Sequence, residues 1–180
     1  MQSRSVWDSI VGALMKSIAR MICTTVIVLA MATPTTGGGK MVVGWLEKAR
    51  ISPGNLLVRA KLDTGAKTCS LGVHSLAEFT RHGESWVRFD VKNKYGDKIT
   101  LEKKVQRLVR IKRHGGELQN RPVVLLGMCL GYLYKEIEVN LVDRTDFNYP
   151  MLIARSFMAG SFIVDPSAKF TSPPSCTESQ

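Results

Sequence analysis

Cysteine is scarce and poorly spaced for the tasks that depend on it. The four residues, Cys23, Cys69, Cys129 and Cys176, form no CxxC pair. That excludes a zinc ribbon and a disulfide scaffold, leaving at most a single bridge whose pairing the sequence does not choose. Histidine is rarer still. His74, His82 and His114 never take the i, i+4 spacing of an HExxH zinc helix, so they read as surface or hydrogen-bonded residues and no metal is expected. No nucleotide loop is present either. Gly37-Gly38-Gly39-Lys40 lacks the earlier glycine, runs into Met41 and lies in a Pro/Gly/Thr stretch. No run reaches the ~20 apolar residues that cross a bilayer. Acidic residues are outnumbered 15 to 25 by Lys and Arg, for a net charge of +10. Nothing resembling a helix-turn-helix, a zinc finger or an aromatic RNA-binding motif accompanies that charge, so no nucleic-acid partner is expected.

The 180 residues hold one domain and exclude a two-lobed enzyme with half an active site in each lobe. Residues 1–32 read as a signal peptide or N-terminal anchor. Arg4, Lys16 and Arg20 precede the uncharged run Met21–Met31, and Ala30-Met31-Ala32 has the small-x-small form of a cleavage site. Met15 is an alternative start that gives a leader of more ordinary length. The expectation is an exported protein, periplasmic or secreted, with membrane attachment only if the leader is retained. The segment 1–32 carries three basic residues and one acidic residue, so its loss lowers the net charge from +10 to +8. A surface of that charge favours polyanions, acidic peptides or membranes. Residues 33–40 read as a linker, 41–170 as the folded domain and 171–180, rich in Pro and Ser, as a disordered tail.

Within 41–170, short β-rich runs are separated by turn residues: 41–46, 56–62, 86–91, 98–105, 108–112, 122–126, 137–142, 151–153 and 162–164. Ile137-Glu138-Val139-Asn140-Leu141 alternates as a half-buried strand does. Only 75–80 and 155–159 read as helical turns. The fold class is all-β, a barrel or sandwich with one or two short helices.

The chemistry concentrates where the run 56–62 ends, in Asp63-Thr64-Gly65-Ala66. An Asp-Thr-Gly loop after an apolar strand suits an aspartic protease. The carboxylate activates water, Thr packs beneath the loop, and Gly lets an N–H turn toward the carboxylate. Two such carboxylates must face each other and share a proton, since like charges that close do not both ionise. On its own the tripeptide is also an ordinary turn after a strand.

Further segments add to it: Val43-Gly44-Trp45, Lys61 to Leu71, Trp86-Val87-Arg88-Phe89, Gly116 to Val124, Met151 to Phe157, and Phe162-Ile163-Val164-Asp165-Pro166. In this order they resemble the bacterial retropepsin-like aspartic peptidases, a family also labelled "ATP-dependent zinc proteases". The resemblance implies a closed retropepsin-type acid protease barrel that acts as a homodimer with one catalytic Asp per chain; its label promises zinc and ATP, but the residues support neither, so no cofactor is expected. Asp63 would be the catalytic residue, with Thr64 and Gly65 completing its loop and Ala66 beside the substrate. Ala154 and Arg155 would support the loop from below, Arg155 tying the short helix to the site. His114, Gly115 and Gly116 would form a flap over substrate, with the hairpin 92–101 as the competing flap. One position departs from the family pattern: Ala154 stands where relatives carry Gly, which puts a methyl group against the Asp63 loop.

Cys69, six residues beyond Asp63, has no readable base and is expected as a small core residue. Lys92, Lys94, Lys98, Lys103, Lys104, Arg107, Arg110, Lys112 and Arg113 read as solvated strand faces or as a basic rim for acidic peptide. The leading expectation is an aspartic endopeptidase, its substrate a peptide or protein that includes acidic, Glu-rich chains. The alternatives are a catalytically weak peptide-binding module partnering an envelope enzyme, and a polyanion-binding barrel.

Overall fold

The computed structural model describes residues 39–112, 118–143 and 148–176. The leader, most of the linker and the expected flap tip at His114, Gly115 and Gly116 lie outside the described residues.

Among the described residues, ten strands and one short helix follow in order: β1 (Met41–Ser52), β2 (Leu56–Asp63), β3 (Cys69–Arg81), β4 (Glu84–Lys92), β5 (Lys98–Lys104), β6 (Arg107–Lys112), β7 (Leu118–Leu130), β8 (Leu133–Asp143), β9 (Met151–Ala154), α1 (Arg155–Met158) and β10 (Phe162–Lys169). Strand neighbours run β1-β2-β9-β3-β8-β7, and β7 pairs back onto β1 at Arg50–Ser52, closing a six-stranded barrel. Closure leaves these six strands no free edge within the ring. β10 extends the wall beside β1 in parallel, and β6 pairs only with β7. β4 and β5 form a second, antiparallel sheet on the outer half of β3.

Alternation explains which faces are buried. In β2, Leu56, Val58, Ala60 and Leu62 point into the core, while Leu57, Arg59, Lys61 and Asp63 take the other parity. β8 departs from the strict alternation expected of it, because Asn140 is buried between β7 and β3. Its Nδ2 donates to the Cys69 carbonyl at 2.7 Å, which satisfies a polar group water cannot reach.

The expected helical turn at 75–80 is strand. Residues 69–81 form β3, paired first with β8 and β9 and then with β4, with a bulge between His74 and Ala77 where Ser75 adopts φ 53°. The bulge lets one strand serve both sheets. Beyond it, His82 and Gly83 both take positive φ and close the hairpin to β4. The helical expectation at 155–159 corresponds to α1.

Gly44 is required by contact. A Cβ there would lie 2.8 Å from the Lys169 backbone nitrogen and closer to the Ala168 carbonyl, where β10 crosses β1 at an irregular register.

The chain beyond β10 departs from the disordered tail expected at 171–180 as far as residue 176. Glu47, fully buried, accepts hydrogen bonds at Oε1 from Gly44 N–H (2.7 Å), Thr171 N–H (3.0 Å) and Thr171 Oγ1 (2.7 Å), and at Oε2 from Ser172 N–H (3.2 Å). Cys129 and Cys176 are disulfide-bonded, the pairing that the sequence left open, while Cys69 is free and buried. These ties hold residues 171–176 to the barrel wall.

Candidate active site

Asp63 ends β2 and pairs in register with Ala154 at the end of β9, the two strands running parallel. The chain turns sharply after Asp63. Its Oδ1 accepts N–H bonds from Gly65 (3.0 Å) and Ala66 (3.2 Å), while among the described residues Oδ2 accepts none. Gly65 suits the turn sterically, since a Cβ there would sit 3.3 Å from Asp63 Oδ1. One carboxylate oxygen is therefore anchored, and the other has no hydrogen-bond partner among the described residues.

The loop is held from α1. Arg155 Nη1 donates to the carbonyls of Thr64 (2.8 Å) and Gly65 (2.7 Å), and the Arg155 and Ser156 N–H groups donate to the carbonyls of Ala66 and Lys67, both at 3.1 Å. Four hydrogen bonds from two consecutive residues thus fix the backbone from Thr64 to Lys67. The sequence-predicted residues Asp63, Thr64, Gly65, Ala66, Ala154 and Arg155 come together here.

Ala154 is fully buried with φ −102° and ψ 178°, an extended backbone that any L-residue adopts. Its methyl group sits in the core cluster without backbone strain. Its N–H donates to Cys69 Sγ at 3.2 Å, and burial pushes the Cys69 thiol above its ordinary pKa. Cys69 is thus a core thiol that caps a strand end beneath the loop.

Several basic residues expected as solvated strand faces or a basic rim are exposed and have acidic partners. Lys98 pairs with Asp90 (3.2 Å), Lys104 with Glu84, and Arg107 with Glu138 through Nε and Nη2. The Arg107 bonds hold Glu138 below the usual carboxylate range, and Thr100 Oγ1 with Lys98 does the same for Asp90. Of the two flap candidates, 113–117 links β6 to the barrel strand β7, whereas 92–98 links β4 to β5 in the second sheet.

One family label implies zinc. Among the described residues, no three His, Cys, Asp or Glu side chains converge.

Sequence reasoning missed Glu47 and the bond from Ala154 to Cys69. A signal for the first was available: Glu47 lies on the core parity of β1 with Val43, Ala49 and Ile51. The second joins residues 85 apart and leaves no local trace.

A crystal structure of a Legionella pneumophila protein of unknown function shares 36% identity and superposes with a TM-score of 0.64, covering 74% of this chain and 98% of that one. Proteins named "Probable alpha-L-glutamate ligase" from Shewanella halifaxensis and Shewanella pealeana are each 34% identical over 116 residues, 63% of this chain. The chain spans only a quarter of the length of those relatives, so their name describes proteins that lie mostly outside the match. Residues 42–175 match the RimB-like family model, described as retropepsin-like aspartic endopeptidase RimB, and the chain belongs to that family.

Proposed function

We propose that this protein is an aspartic endopeptidase whose active form is a homodimer, with Asp63 from each copy forming the catalytic pair. One observation carries the reading: a single Asp-Thr-Gly loop with Asp63 Oδ1 anchored by two backbone N–H groups and Oδ2 unengaged among the described residues. One such carboxylate is half of an aspartic protease site, and two-fold symmetry supplies the other half. Thr64 is exposed, and with Arg155, Met158, Phe162 and Val164 it lines an open groove of about 360 Å³, a face suited to a second copy.

In the dimer the two Asp63 carboxylates share one proton. The ionised one takes a proton from a bound water as that water attacks the scissile carbonyl, and the protonated one donates to the carbonyl oxygen. The titration belongs to the pair. Arg155 keeps both loops in register by holding the Thr64 and Gly65 carbonyls.

Acidic, Glu-containing peptides are the proposed substrates, supported by the net charge of +10 and by relatives named for glutamate ligation. The leader-like segment and the Cys129–Cys176 bridge support an exported protein, since such bridges persist in oxidising compartments. Binding without cleavage is the alternative that Ala154 suggested in part, and the extended backbone at that residue carries no strain that would favour it. The test is peptide cleavage followed by mass spectrometry, with the protein mass measured in solution. Wild type should cut and dimerise, and Asp63→Asn should dimerise without cutting. Equal cleavage by the variant would overturn the mechanism.

A further inference from the structure

The Asp63 loop is held at both ends as well as along its length. Asp63 pairs with Ala154 at the entry, and Arg155 and Ser156 hold the carbonyls from Thr64 to Lys67. Cys69, the first residue of β3, stands at the exit. There the hold comes from side chains. Asn140 on β8 donates from Nδ2 to the Cys69 carbonyl at 2.7 Å, and Cys69 Sγ accepts the Ala154 N–H at 3.2 Å. Ala154 lies two residues past Leu152, whose pairing with Ser70 is the last of the β3–β9 ladder. The thiol therefore extends the contact between these strands to the residue that pairs with Asp63. Ser156 Oγ lies 3.9 Å from the same sulfur, which brings α1 into the set.

Packing alone favours apolar side chains at these positions. Asn140 is 5% exposed and Cys69 is fully buried. A buried amide costs free energy unless its polar atoms are paired, and a leucine fills a similar volume without that cost. The pairing is present here: Nδ2 meets the Cys69 carbonyl, and Oδ1 lies 3.4 Å from Arg121 Nη1. What the amide adds over an apolar residue is a fixed carbonyl at the exit of the Asp63 loop. Burial raises the Cys69 thiol above its ordinary pKa, so the sulfur stays neutral and puts no second negative charge near the Asp63 carboxylate. Two carboxylates that share a proton and one water tolerate little displacement, since a shift of about 1 Å costs roughly 100-fold in rate.

We infer that Asn140 and Cys69 are positioning residues for the Asp63 carboxylate. The amide fixes the loop's exit, and the thiol ties that exit to Ala154 at the entry. The catalytic consequence rests on the peptidase reading, whereas the positioning itself does not.

The test compares wild type with Asn140→Leu, Cys69→Ala, Cys69→Ser and Val91→Ala. Peptide turnover is taken per folded dimer, and the amide resonances of Gly65 and Ala66, the two donors to Asp63, are followed by NMR. Val91 is a fully buried β4 residue that makes none of these bonds, so its truncation controls for lost stability. Asn140→Leu and Cys69→Ala should lower kcat by about 10- to 100-fold with KM within about twofold, and should move both resonances. Cys69→Ser keeps an acceptor for the Ala154 N–H and should recover most of kcat. Val91→Ala should unfold at lower urea yet keep kcat and both resonances. Wild-type kcat in Asn140→Leu or Cys69→Ala overturns the inference, as does an equal loss in Val91→Ala or in Cys69→Ser. If Asn140→Leu does not fold, the two Cys69 variants decide. If wild type cuts no peptide, the peptidase reading falls and the resonances decide alone: movement in Asn140→Leu and Cys69→Ala, absent from Val91→Ala, keeps the positioning role, and any other pattern ends it.

Discussion

Glu47 offers the most direct test of how the structure is held. It is a fully buried carboxylate whose oxygens accept four hydrogen bonds, three of them from the segment Thr171–Ser172. Truncation in Glu47→Ala removes every acceptor. Gly44 N–H keeps a partner in Thr171 Oγ1 at 3.2 Å, but the N–H groups of Thr171 and Ser172 are orphaned. A buried unsatisfied donor costs about 1–3 kcal/mol. The expected loss is therefore about 2–4 kcal/mol, limited by detachment of the segment into water. Glu47→Gln is the sharper variant. Its carbonyl oxygen can keep the three bonds now made to Oε1, but its NH₂ then faces the Ser172 N–H, so the loss should be nearer about 1–2 kcal/mol. Urea unfolding gives the stability difference, and hydrogen exchange of the peptide spanning 170–176 locates it. Cys176 stays bonded to Cys129, so faster exchange should centre on Thr171 and Ser172 while the barrel strands change little. If Glu47→Ala unfolds within 0.5 kcal/mol of wild type and leaves exchange at 171–172 unchanged, this account of the C-terminal tie is wrong.

Two further outcomes are expected. Arg155→Lys keeps the charge but replaces the guanidinium at the Thr64 and Gly65 carbonyls with a single ammonium. Taken at the low end for an exposed donor, about 1–2 kcal/mol should be lost, and peptidase turnover should fall by more than the loss of folded protein explains, which parallel unfolding and rate measurements check. Stability should also fall in acid. Glu138 and Asp90 have folded pKa values below their unfolded ones, so their contributions are present above about pH 4–4.5 and are lost as pH drops through the lowered values. Both groups are partly exposed to solvent, so the fall should be shallow; Arg107→Gln should flatten it further in melts taken from pH 6 to pH 3.

Much of the strand order was legible because it is written locally. Turn residues and period-two alternation mark β2, β4 and β5 to within a few residues, and Asp63-Thr64-Gly65 announces itself as a strand-ending turn. What escaped depends on partners distant in sequence. The stretch 69–81 has no long clean alternation, because its first half is buried in the barrel while its second half forms the outer sheet. Read alone, 75–80 looks helical; the pairing with β4 and the bulge at Ser75 make it strand. The basic cluster read as solvated strand faces or a basic rim, and its partners depend on strand pairing: Lys98 and Lys104 meet Asp90 and Glu84 on the adjacent β4, and Arg107 reaches Glu138 across β7.

By itself the sequence determined the all-β class, the place of the carboxylate and the family resemblance, since each depends on residue type and short-range order. Tertiary structure alone decided three other matters: that Cys129 pairs with Cys176, that Glu47 holds a segment 124 residues away, and that Ala154 sits in the core on an extended backbone without strain. The reason is physical. Alternation and turns act through bonds between near neighbours, whereas burial, hydrogen-bond satisfaction and disulfide geometry depend on which surfaces meet once the barrel has closed.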